Sequence, residues 1–239
     1  MRKVIVILFV LIFAVVFGFG EKTLKIGTSA GFKPFEYKES GKVVGFDIDL
    51  ITAVAKQMKM KVEILDMDFD ALIEAVKTGT IDVVAAGMTI NGERKKVVDF
   101  SNSYFVANQS VLVKKKSKVK LKSAEDVDNS NYKIGVQNDT TGAIWADDHA
   151  PDADIKKYSK YIECIQDLEN GNLDMIVLDK PVAEAYAKNR PVVIALTIKT
   201  DEEYGFAVKK GSPLLSKINK ALKKVKKSKT WDALFAKYF

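Results

Sequence analysis

One pattern occurs twice in this 239-residue chain: Lys77-Thr78-Gly79-Thr80-Ile81-Asp82-Val83-Val84 and, 92 residues later, Glu169-Asn170-Gly171-Asn172-Leu173-Asp174-Met175-Ile176. Each copy has a glycine after a predicted helix and an aspartate beside the start of an apolar strand. Lys25-Ile26-Gly27 also resembles Lys133-Ile134-Gly135, at an offset of 108. Chance similarity is the alternative, because both features are common in proteins. The repeats favour two similar α/β lobes.

Strands and amphipathic helices alternate around both copies, which is typical of βαβ units in a mostly parallel sheet. A helix is predicted over 45–58, with Asp47 as its N-cap, because apolar residues recur there at helical spacing. A second helix is predicted over about 70–77, capped by Asp68 and ended by Gly79. The other predicted elements are strands over 24–27, 62–65, 81–85 and 173–178 and a helix over 161–169.

Two extended segments, 109–114 and 204–208, connect the predicted lobes, and the second leads into helices over 213–227 and 230–238. We expect these helices to return the chain to the first lobe. Lobe 1 would then comprise residues 21–107 and 204–239, and lobe 2 residues 108–203 with the hinge crossings. Two ordered crossings form a hinge that can close a cleft over a ligand.

The composition is that of a soluble globular protein, with 47% hydrophobic and 29% charged residues. The single Cys164 excludes an intramolecular disulfide, and the single His149 excludes a zinc site with several Cys and His ligands. His149 is predicted to lie at an exposed helix end, so a nucleophile–histidine pair is not expected either. We therefore expect no metal, no cofactor and no catalytic residue.

The first twenty residues have the pattern of a secretory signal peptide. Arg2 and Lys3 precede an apolar run over 4–17, and Gly18-Phe19-Gly20 follows it. The run is shorter than the roughly 20 residues that span a bilayer. We predict cleavage after Gly20 and a soluble periplasmic protein, with an uncleaved membrane anchor as the alternative.

The formal net charge is +7, from 38 basic and 31 acidic residues. The basic residues are mostly lysines spread in short groups between apolar residues, which indicates a solvated surface rather than a nucleic-acid interface. We expect a monomer that binds no nucleic acid. Arginine occurs only at Arg2, Arg94 and Arg190, so each arginine is of interest.

In the first half, two loops follow apolar strands and point towards the predicted cleft. The loop over 28–35 contains Phe32, a candidate wall for a small ligand, and Phe35, which is expected to pack inward; the alternative is that both are core residues. The loop over 86–94 ends at Arg94, whose guanidinium can hold a carboxylate through two parallel hydrogen bonds. The alternative for Arg94 is a surface ion pair with a neighbouring acid, Glu93 or Asp99.

In the second half, Thr140 and Thr141 begin a predicted helix after the strand that ends near Gln137. A helix N-terminus with two hydroxyls suits a carboxylate, although plain N-capping explains one threonine. Asp179 ends a strand and could receive an ammonium group or cap the helix that Pro181 starts. The acidic stretch 66–70 lacks the pattern of a calcium loop, and Phe69 within it is expected at the cleft.

Several motifs together, in this order along the chain, resemble one family. They are Phe32-Lys33-Pro34-Phe35-Glu36-Tyr37, Val44-Gly45-Phe46-Asp47-Ile48-Asp49-Leu50, Asp68-Phe69-Asp70, Ala86-Gly87-Met88-Thr89-Ile90 with Glu93-Arg94, Asp99-Phe100-Ser101, and Gly135-Val136-Gln137. The mature chain resembles, over essentially its whole length, an extracytoplasmic solute-binding protein of a polar amino acid ABC importer.

The resemblance implies a two-lobed periplasmic-binding fold of type II, with two hinge strands and a cleft that closes over a free L-amino acid without catalysis. A membrane permease of the ABC importer is the implied partner. Arg94 would clamp the α-carboxylate with help from threonines, Asp179 would take the α-ammonium, and two aromatics would enclose the ligand side chain. The implied ligand-binding residues are Ser29, Phe32, Phe69, Ala86, Gly87, Met88, Thr89, Arg94, Gln137, Thr140, Thr141 and Asp179.

Two departures from the family pattern bear on the ligand. Ser29 stands where many relatives with cationic or amide ligands carry an acid, and Asp139 replaces a glycine before the paired threonines. The stretch 135–142 looks most like arginine-binding members, so arginine is favoured narrowly over glutamine or another polar amino acid. A cyclohexadienyl dehydratase of the same fold, with Glu36 or Asp179 as its acid, is the alternative of another class.

Overall fold

The computed structural model describes residues 22–239. The predicted signal peptide over 1–20 and its cleavage site lie outside these residues. Within the described part of the chain, no helix is both long and apolar enough to cross a membrane.

The chain alternates between strands and helices, first over residues 22–104. These elements are β1 (Thr23–Thr28), β2 (Tyr37–Glu39), β3 (Lys42–Val44), α1 (Phe46–Gln57), β4 (Lys61–Asp66), α2 (Leu72–Thr78), β5 (Val83–Val84), α3 (Gly92–Val97) and β6 (Val98–Phe100). The chain then continues with β7 (Phe105–Lys114), β8 (Lys133–Gln137), α4 (Thr141–His149), β9 (Asp154–Tyr158), α5 (Tyr161–Asn170), β10 (Met175–Asp179), α6 (Lys180–Asn189), β11 (Val192–Tyr204), β12 (Ala207–Lys209), α7 (Leu214–Val225) and α8 (Lys229–Tyr238).

These strands form two five-stranded sheets and a small hairpin of β2 and β3. The first sheet has the order β4-β1-β5-β12-β6, in which β1 runs parallel to β4 and β5 while β12 is antiparallel to its neighbours. The second has the order β11-β7-β10-β8-β9, with β7 antiparallel to β10 and β11. Each sheet is mixed, with four strands in one direction and one strand reversed, which is β12 in the first sheet and β7 in the second.

The connection between the sheets is the antiparallel pair β7 and β11. The predicted strand over 109–114 is the second half of β7, which begins at Phe105. The predicted strand over 204–208 is divided: Tyr204 ends β11, and β12 begins at Ala207. The register between β7 and β11 shifts twice, between Ile194 and Leu196 and between Ile198 and Glu202, so β11 bends as it passes from one sheet to the other.

The repeated sequence pattern corresponds to a repeated set of contacts. Gly79 and Gly171 both adopt the left-handed conformation after their helices, with φ values of 82° and 83°. Asp82 exchanges two hydrogen bonds of 2.8 Å with the backbone of Lys25, and Asp174 exchanges two of 2.9 Å with the backbone of Lys133. The aspartates belong to the repeat with the offset of 92 residues and the lysines to the repeat with the offset of 108. The contact between aspartate and lysine is therefore equivalent in the two lobes.

The glycines of the Lys-Ile-Gly repeat have an equivalent packing role. A Cβ on Gly27 would lie 2.3 Å from Ile81, and one on Gly135 would lie 2.5 Å from Leu173. In each lobe the side chain that follows the helix-ending loop, Ile81 or Leu173, packs against the glycine of the neighbouring strand. The helix, the loop and the strand are therefore packed together in the same way in both lobes.

An aromatic cluster joins the C-terminal helix to the first lobe. Phe46, the fully buried first residue of α1, has its ring centroid 5.9 Å from that of Trp231 and 5.2 Å from that of Phe235. Phe35 is also fully buried, as predicted, and meets Phe105 at 5.0 Å. Helix α8 thus packs against α1, far along the sequence from it.

Asp47 does not cap α1, which corrects the prediction. The helix begins two residues earlier than a cap at Asp47 implies, at Phe46, and its N-cap is Gly45 with φ of 141°. A Cβ at Gly45 would lie 2.0 Å from the carbonyl oxygen of Phe35, so only glycine fits this entry. The Asp47 carboxylate instead turns inward, where it accepts hydrogen bonds from the Gly87 amide at 2.8 Å and from the Tyr104 hydroxyl.

Asp68 also differs from the prediction. It precedes a 3-10 turn over Phe69–Ala71, and its side chain makes no capping hydrogen bond. The α-helix itself begins at Leu72 rather than near Asp70. The turn places Phe69 inside the molecule, with 8% of its surface exposed.

We predict that Phe46→Ala lowers the free energy of unfolding by about 3–5 kcal/mol, because it removes a buried ring from the aromatic cluster. Chemical denaturation followed by circular dichroism measures the change. Lys56→Ala, at an exposed position of the same helix, is the control and should stay within about 0.5 kcal/mol of the unsubstituted protein. Equal effects of the two substitutions would contradict this account of the core.

Asp47 also predicts a pH dependence of stability. Burial raises the pKa of its carboxyl group to about 7, although the two hydrogen bonds act in the lowering direction. Since an unfolded aspartate has a pKa of about 3.9, the folded state binds the proton more tightly between these values. The contribution of Asp47 to the free energy of unfolding therefore falls as the pH rises from about 4 to about 7.

Asp47→Asn should remove this part of the pH dependence. Between pH 4 and pH 7 the free energy of unfolding should fall by less in the variant than in the unsubstituted protein. The difference between the two decreases should be on the order of 4 kcal/mol. Denaturant titrations across this range provide the measurement. Asp148→Asn, at an exposed position of α4, should leave the slope unchanged, and a variant slope equal to that of the control would count against the assignment.

Candidate functional site

A cavity of about 310 Å³ lies where the carboxyl ends of β1, β5, β8 and β10 face one another. This is the position in which α/β proteins place ligands. The lining residues are Ser29, Phe32, Glu36, Phe69, Ala86, Gly87, Thr89, Arg94, Gln137, Thr140, Thr141 and Asp179. Of the twelve predicted site residues, only Met88 is missing from this lining, and Glu36 is present in addition.

Met88 faces away from the cavity, contrary to the prediction. Its side chain is fully buried in a cluster with Leu72, Ile81 and Val98. Neighbouring Gly87 and Thr89 both line the cavity. Gly87 has a φ of 52°, so the chain bends just before Met88 rather than continuing as an extended strand.

Arg94 is a buried guanidinium at the start of α3, with 7% of its surface exposed. Its Nη1 donates to the Thr89 carbonyl at 2.9 Å, and its Nη2 donates across to the Asp139 carbonyl at 2.7 Å. The ring of Phe69 lies beneath it, 5.3 Å from Cζ to the ring centroid. Burial lowers the pKa of the guanidinium, while nearby acids, led by Glu202, raise it.

The alternative of a surface ion pair for Arg94 is wrong. Glu93 pairs with Lys96 at 2.6 Å, and Asp99 pairs with Lys210 at 3.1 Å. Among the salt bridges of residues 22–239, none involves Arg94. Its positive charge is therefore held by backbone carbonyls, and further N–H groups of the guanidinium remain for another acceptor.

The two threonines at the start of α4 have different roles. Thr140 is the N-cap: its hydroxyl accepts from the Ala143 amide at 3.1 Å and donates to the Gln137 carbonyl at 2.8 Å. Thr141 follows as the first helical residue, and its hydroxyl donates to Glu202 at 2.5 Å. Capping thus accounts for Thr140 but not for Thr141.

Asp179 is buried at the end of β10, with 4% of its surface exposed. It makes no side-chain capping bond to α6. Its Oδ1 accepts from the Tyr204 hydroxyl at 2.6 Å and from Gln109 Nε2 at 3.2 Å. Burial, followed by the charge of Glu202, raises the pKa of Asp179 to about 7, although the hydrogen bonds act in the lowering direction. The carboxyl group is available to a cation rather than used by the helix.

Glu36 lines the cavity but was not among the predicted binding residues, because the sequence suggested it only as the acid of an enzyme. It is 1% exposed, and its Oε2 has no hydrogen-bond partner among the described residues. Burial and the charges of Asp47 and Asp179 raise its pKa well above the usual value. The turn that pairs Phe32 with Glu36 brings this carboxyl group back to the cavity. The proximity of Glu36 to the predicted wall residue Phe32 in sequence was the available signal.

Two further atoms near the cavity lack partners within the described chain. The Ser29 hydroxyl lines it, and Gln109 Oε1 belongs to the side chain that contacts Asp179. Buried polar atoms normally have hydrogen-bond partners, so unpaired ones at a cavity indicate that something else supplies the partner. Gln109, Glu202 and Tyr204 lie on the crossing strands β7 and β11, where no sequence motif marked them.

The lobes also contact each other directly around the cavity. Lys160 Nζ lies 3.3 Å from Asp66 Oδ1, and the Tyr186 hydroxyl donates to the Gly31 carbonyl at 2.8 Å. Together with the bond from Arg94 to Asp139, these contacts close the cleft on more than one side. The described residues contain no group of three or more His, Cys, Asp or Glu side chains arranged to hold a metal ion.

Comparison with known proteins places this geometry in a family. Residues 24–239 match the family "bacterial extracellular solute-binding proteins, family 3". The chain is 38% identical to a probable histidine-binding protein of Neisseria gonorrhoeae, covering 91% of this chain and 83% of that protein. It is 36% identical to the arginine-binding extracellular protein ArtP of Bacillus subtilis, and the match covers 92% of this chain and 87% of that protein.

A solved structure agrees with these matches. An ancestral arginine-binding protein bound to glutamine superposes with a TM-score of 0.87 at 46% identity, covering 92% of this chain and 99% of that one. The predicted two-lobed type II fold and the resemblance to amino acid importers are thereby confirmed. The chain belongs to the bacterial extracellular solute-binding proteins of family 3.

Proposed function

We propose that this protein binds a free polar L-amino acid in its cleft and delivers it to the membrane permease of an ABC importer. The observation that carries the proposal is one cavity lined by Arg94 from the first lobe and Asp179 from the second, both buried. A guanidinium and a carboxyl group on facing walls match the two charges of a zwitterion. The names of the relatives, which bind histidine and arginine, support this assignment.

Within the site, Arg94 receives the α-carboxylate through its remaining N–H groups, and Asp179 receives the α-ammonium. The amide of Gly87 already donates to Asp47, which leaves its carbonyl for the ammonium. The backbone N–H groups at the start of α4 add donors for the carboxylate. Ser29 and Gln137 lie in the same cavity and tune the choice of side chain.

Arginine is the favoured ligand, followed by glutamine or another polar amino acid. Phe32 and Phe69 both line the cavity, and aromatic faces suit a guanidinium. Ser29 does not supply the acid expected for a cationic ligand, but Glu36 in the same cavity does. A buried carboxyl group with an unpaired oxygen is best satisfied by a cationic partner.

Transport follows from a shift in population between open and closed forms. Ligand contacts from both lobes favour the closed form, which the permease recognises. We propose residues 21–107 with 204–239 as one moving lobe and 108–203 as the other, and a monomeric protein in the periplasm after cleavage of its signal peptide. The dehydratase alternative is set aside, because the relatives are named as binding proteins of solutes.

The first test is a thermal-shift screen of the protein against the twenty amino acids. A true ligand at 100 times its dissociation constant should stabilise the fold by ~2.7 kcal/mol. Arg94→Ala should then lower the affinity at least about tenfold by calorimetry, since a charge-assisted pair contributes ~1.5–3 kcal/mol. Arg190→Ala, which breaks an ion pair with Glu169 away from the cavity, is the control. A screen in which no amino acid raises the melting temperature would overturn the proposal.

The choice of side chain gives a second test. Glu36→Gln should reduce the affinity for L-arginine at least about tenfold, while the affinity for L-glutamine changes less than about threefold. The reason is that the carboxylate contributes a charge-assisted bond only to the cationic side chain. Glu39→Gln, at an exposed position of β2, serves as the matched control. Equal losses for both amino acids would show that Glu36 does not select the ligand.

A further inference from the structure

Glu202 connects three elements around the cavity, although it does not line it. One carboxylate oxygen, Oε2, accepts from the Thr89 hydroxyl at 2.8 Å and from the Thr141 hydroxyl at 2.5 Å. The other, Oε1, accepts from Gln109 Nε2 at 3.1 Å. Thr89 belongs to the first lobe, Thr141 begins α4 in the second, and Gln109 lies on the crossing strand β7.

The hydrogen of each threonine hydroxyl is therefore committed. A hydroxyl has one hydrogen to donate and two lone pairs that accept. Because the hydrogens of Thr89 and Thr141 are donated to a carboxylate in charge-assisted bonds, their oxygens can act only as acceptors towards the cavity. Thr141 Oγ1 already accepts from Gln109 Nε2 at 3.3 Å, which leaves it one further acceptor position. An acceptor attracts an ammonium group and repels a carboxylate.

We infer that Glu202 is a positioning residue that turns the Thr89 and Thr141 oxygens into acceptors for the α-ammonium group of the ligand. This inference rests on the proposed function and refines it. The α-carboxylate is then bound by Arg94 and by backbone N–H groups of α4, not by the threonine side chains. That differs from the role that the family resemblance implied for these threonines.

The position of Glu202 supports this role. The second register shift between β7 and β11 lies between Ile198 and Glu202, and it sets which residues of β11 face the cleft. The next residue, Glu203, is exposed on the other side of the strand. The charge of Glu202 is also felt at Asp179, the residue proposed to take the ammonium. Ammonium recognition is thus shared between Asp179 and two hydroxyls oriented from the hinge.

The test compares a ligand with and without its α-amino group. Calorimetry measures the affinity of the full chain for L-arginine and for its des-amino analogue, and the ratio of the two affinities reports on ammonium recognition. If the screen selects another amino acid, that amino acid and its des-amino analogue replace this pair. Glu202→Met removes the acceptor and should lower the ratio at least about tenfold, equivalent to about 1.4 kcal/mol.

Glu202→Gln keeps one acceptor oxygen, so it should lower the ratio less than Glu202→Met does. Glu203→Met, on the exposed side of the same strand, should leave the ratio unchanged. If Glu202→Met does not fold, a lowered ratio in Glu202→Gln supports the inference and an unchanged one refutes it.

The outcomes separate this inference from the proposed function. A role of Glu202 in structure alone would change both affinities by the same factor and leave the ratio as it is, which would overturn the inference. Failure of the unsubstituted protein to bind any of the twenty amino acids would overturn the proposed function, and the inference with it. Binding by the unsubstituted protein with an unaltered ratio in every Glu202 variant would overturn the inference alone.

Discussion

The burial of charge without a counter-charge is the constraint on which the cleft depends. Arg94, Asp179 and Glu36 are each at least nine-tenths buried, and none of them takes part in a salt bridge among residues 22–239. Removing such groups from water is costly unless dipoles or opposite charges replace the water. Carbonyl groups replace it around Arg94, and a tyrosine hydroxyl and an amide replace it around Asp179. A zwitterion with a cationic side chain offers the charges that the protein itself lacks.

The fold meets this constraint by using one structural unit twice. In each lobe a helix ends in a left-handed glycine, and an aspartate then joins the loop to the start of a neighbouring strand through two backbone contacts. The unit directs the carboxyl ends of its strands to the cleft, so the two lobes present polar groups to each other. The crossing strands β7 and β11 hold the lobes together and carry the side chains that orient Asp179.

Much of this arrangement could be predicted from the chain alone, because local pattern carries it. The loops that follow apolar strands and the scarcity of arginine singled out Phe32, Phe69, Arg94, Thr140, Thr141 and Asp179, and the family resemblance implied the other five residues of the cavity that were predicted. The direction of a side chain was harder, since it depends on distant contacts. Asp47 turns inward because Gly45 starts the helix early, and Met88 is buried in the core although Gly87 and Thr89 beside it line the cavity. Glu202 depends on the strand register, which no local motif records.

The bond from Arg94 to Asp139 spans the two lobes. The Arg94 guanidinium that would hold a ligand also joins the two walls of the cleft. Replacing it would therefore change both the affinity for the ligand and the equilibrium between the open and closed forms. Glu36 and the Ser29 hydroxyl, which carry unpaired polar atoms in the first lobe, have no such double duty. Under the proposed function, substitutions at Glu36 or Ser29, in evolution or in the design of a biosensor, would change the preferred ligand while the contact between the lobes is left intact.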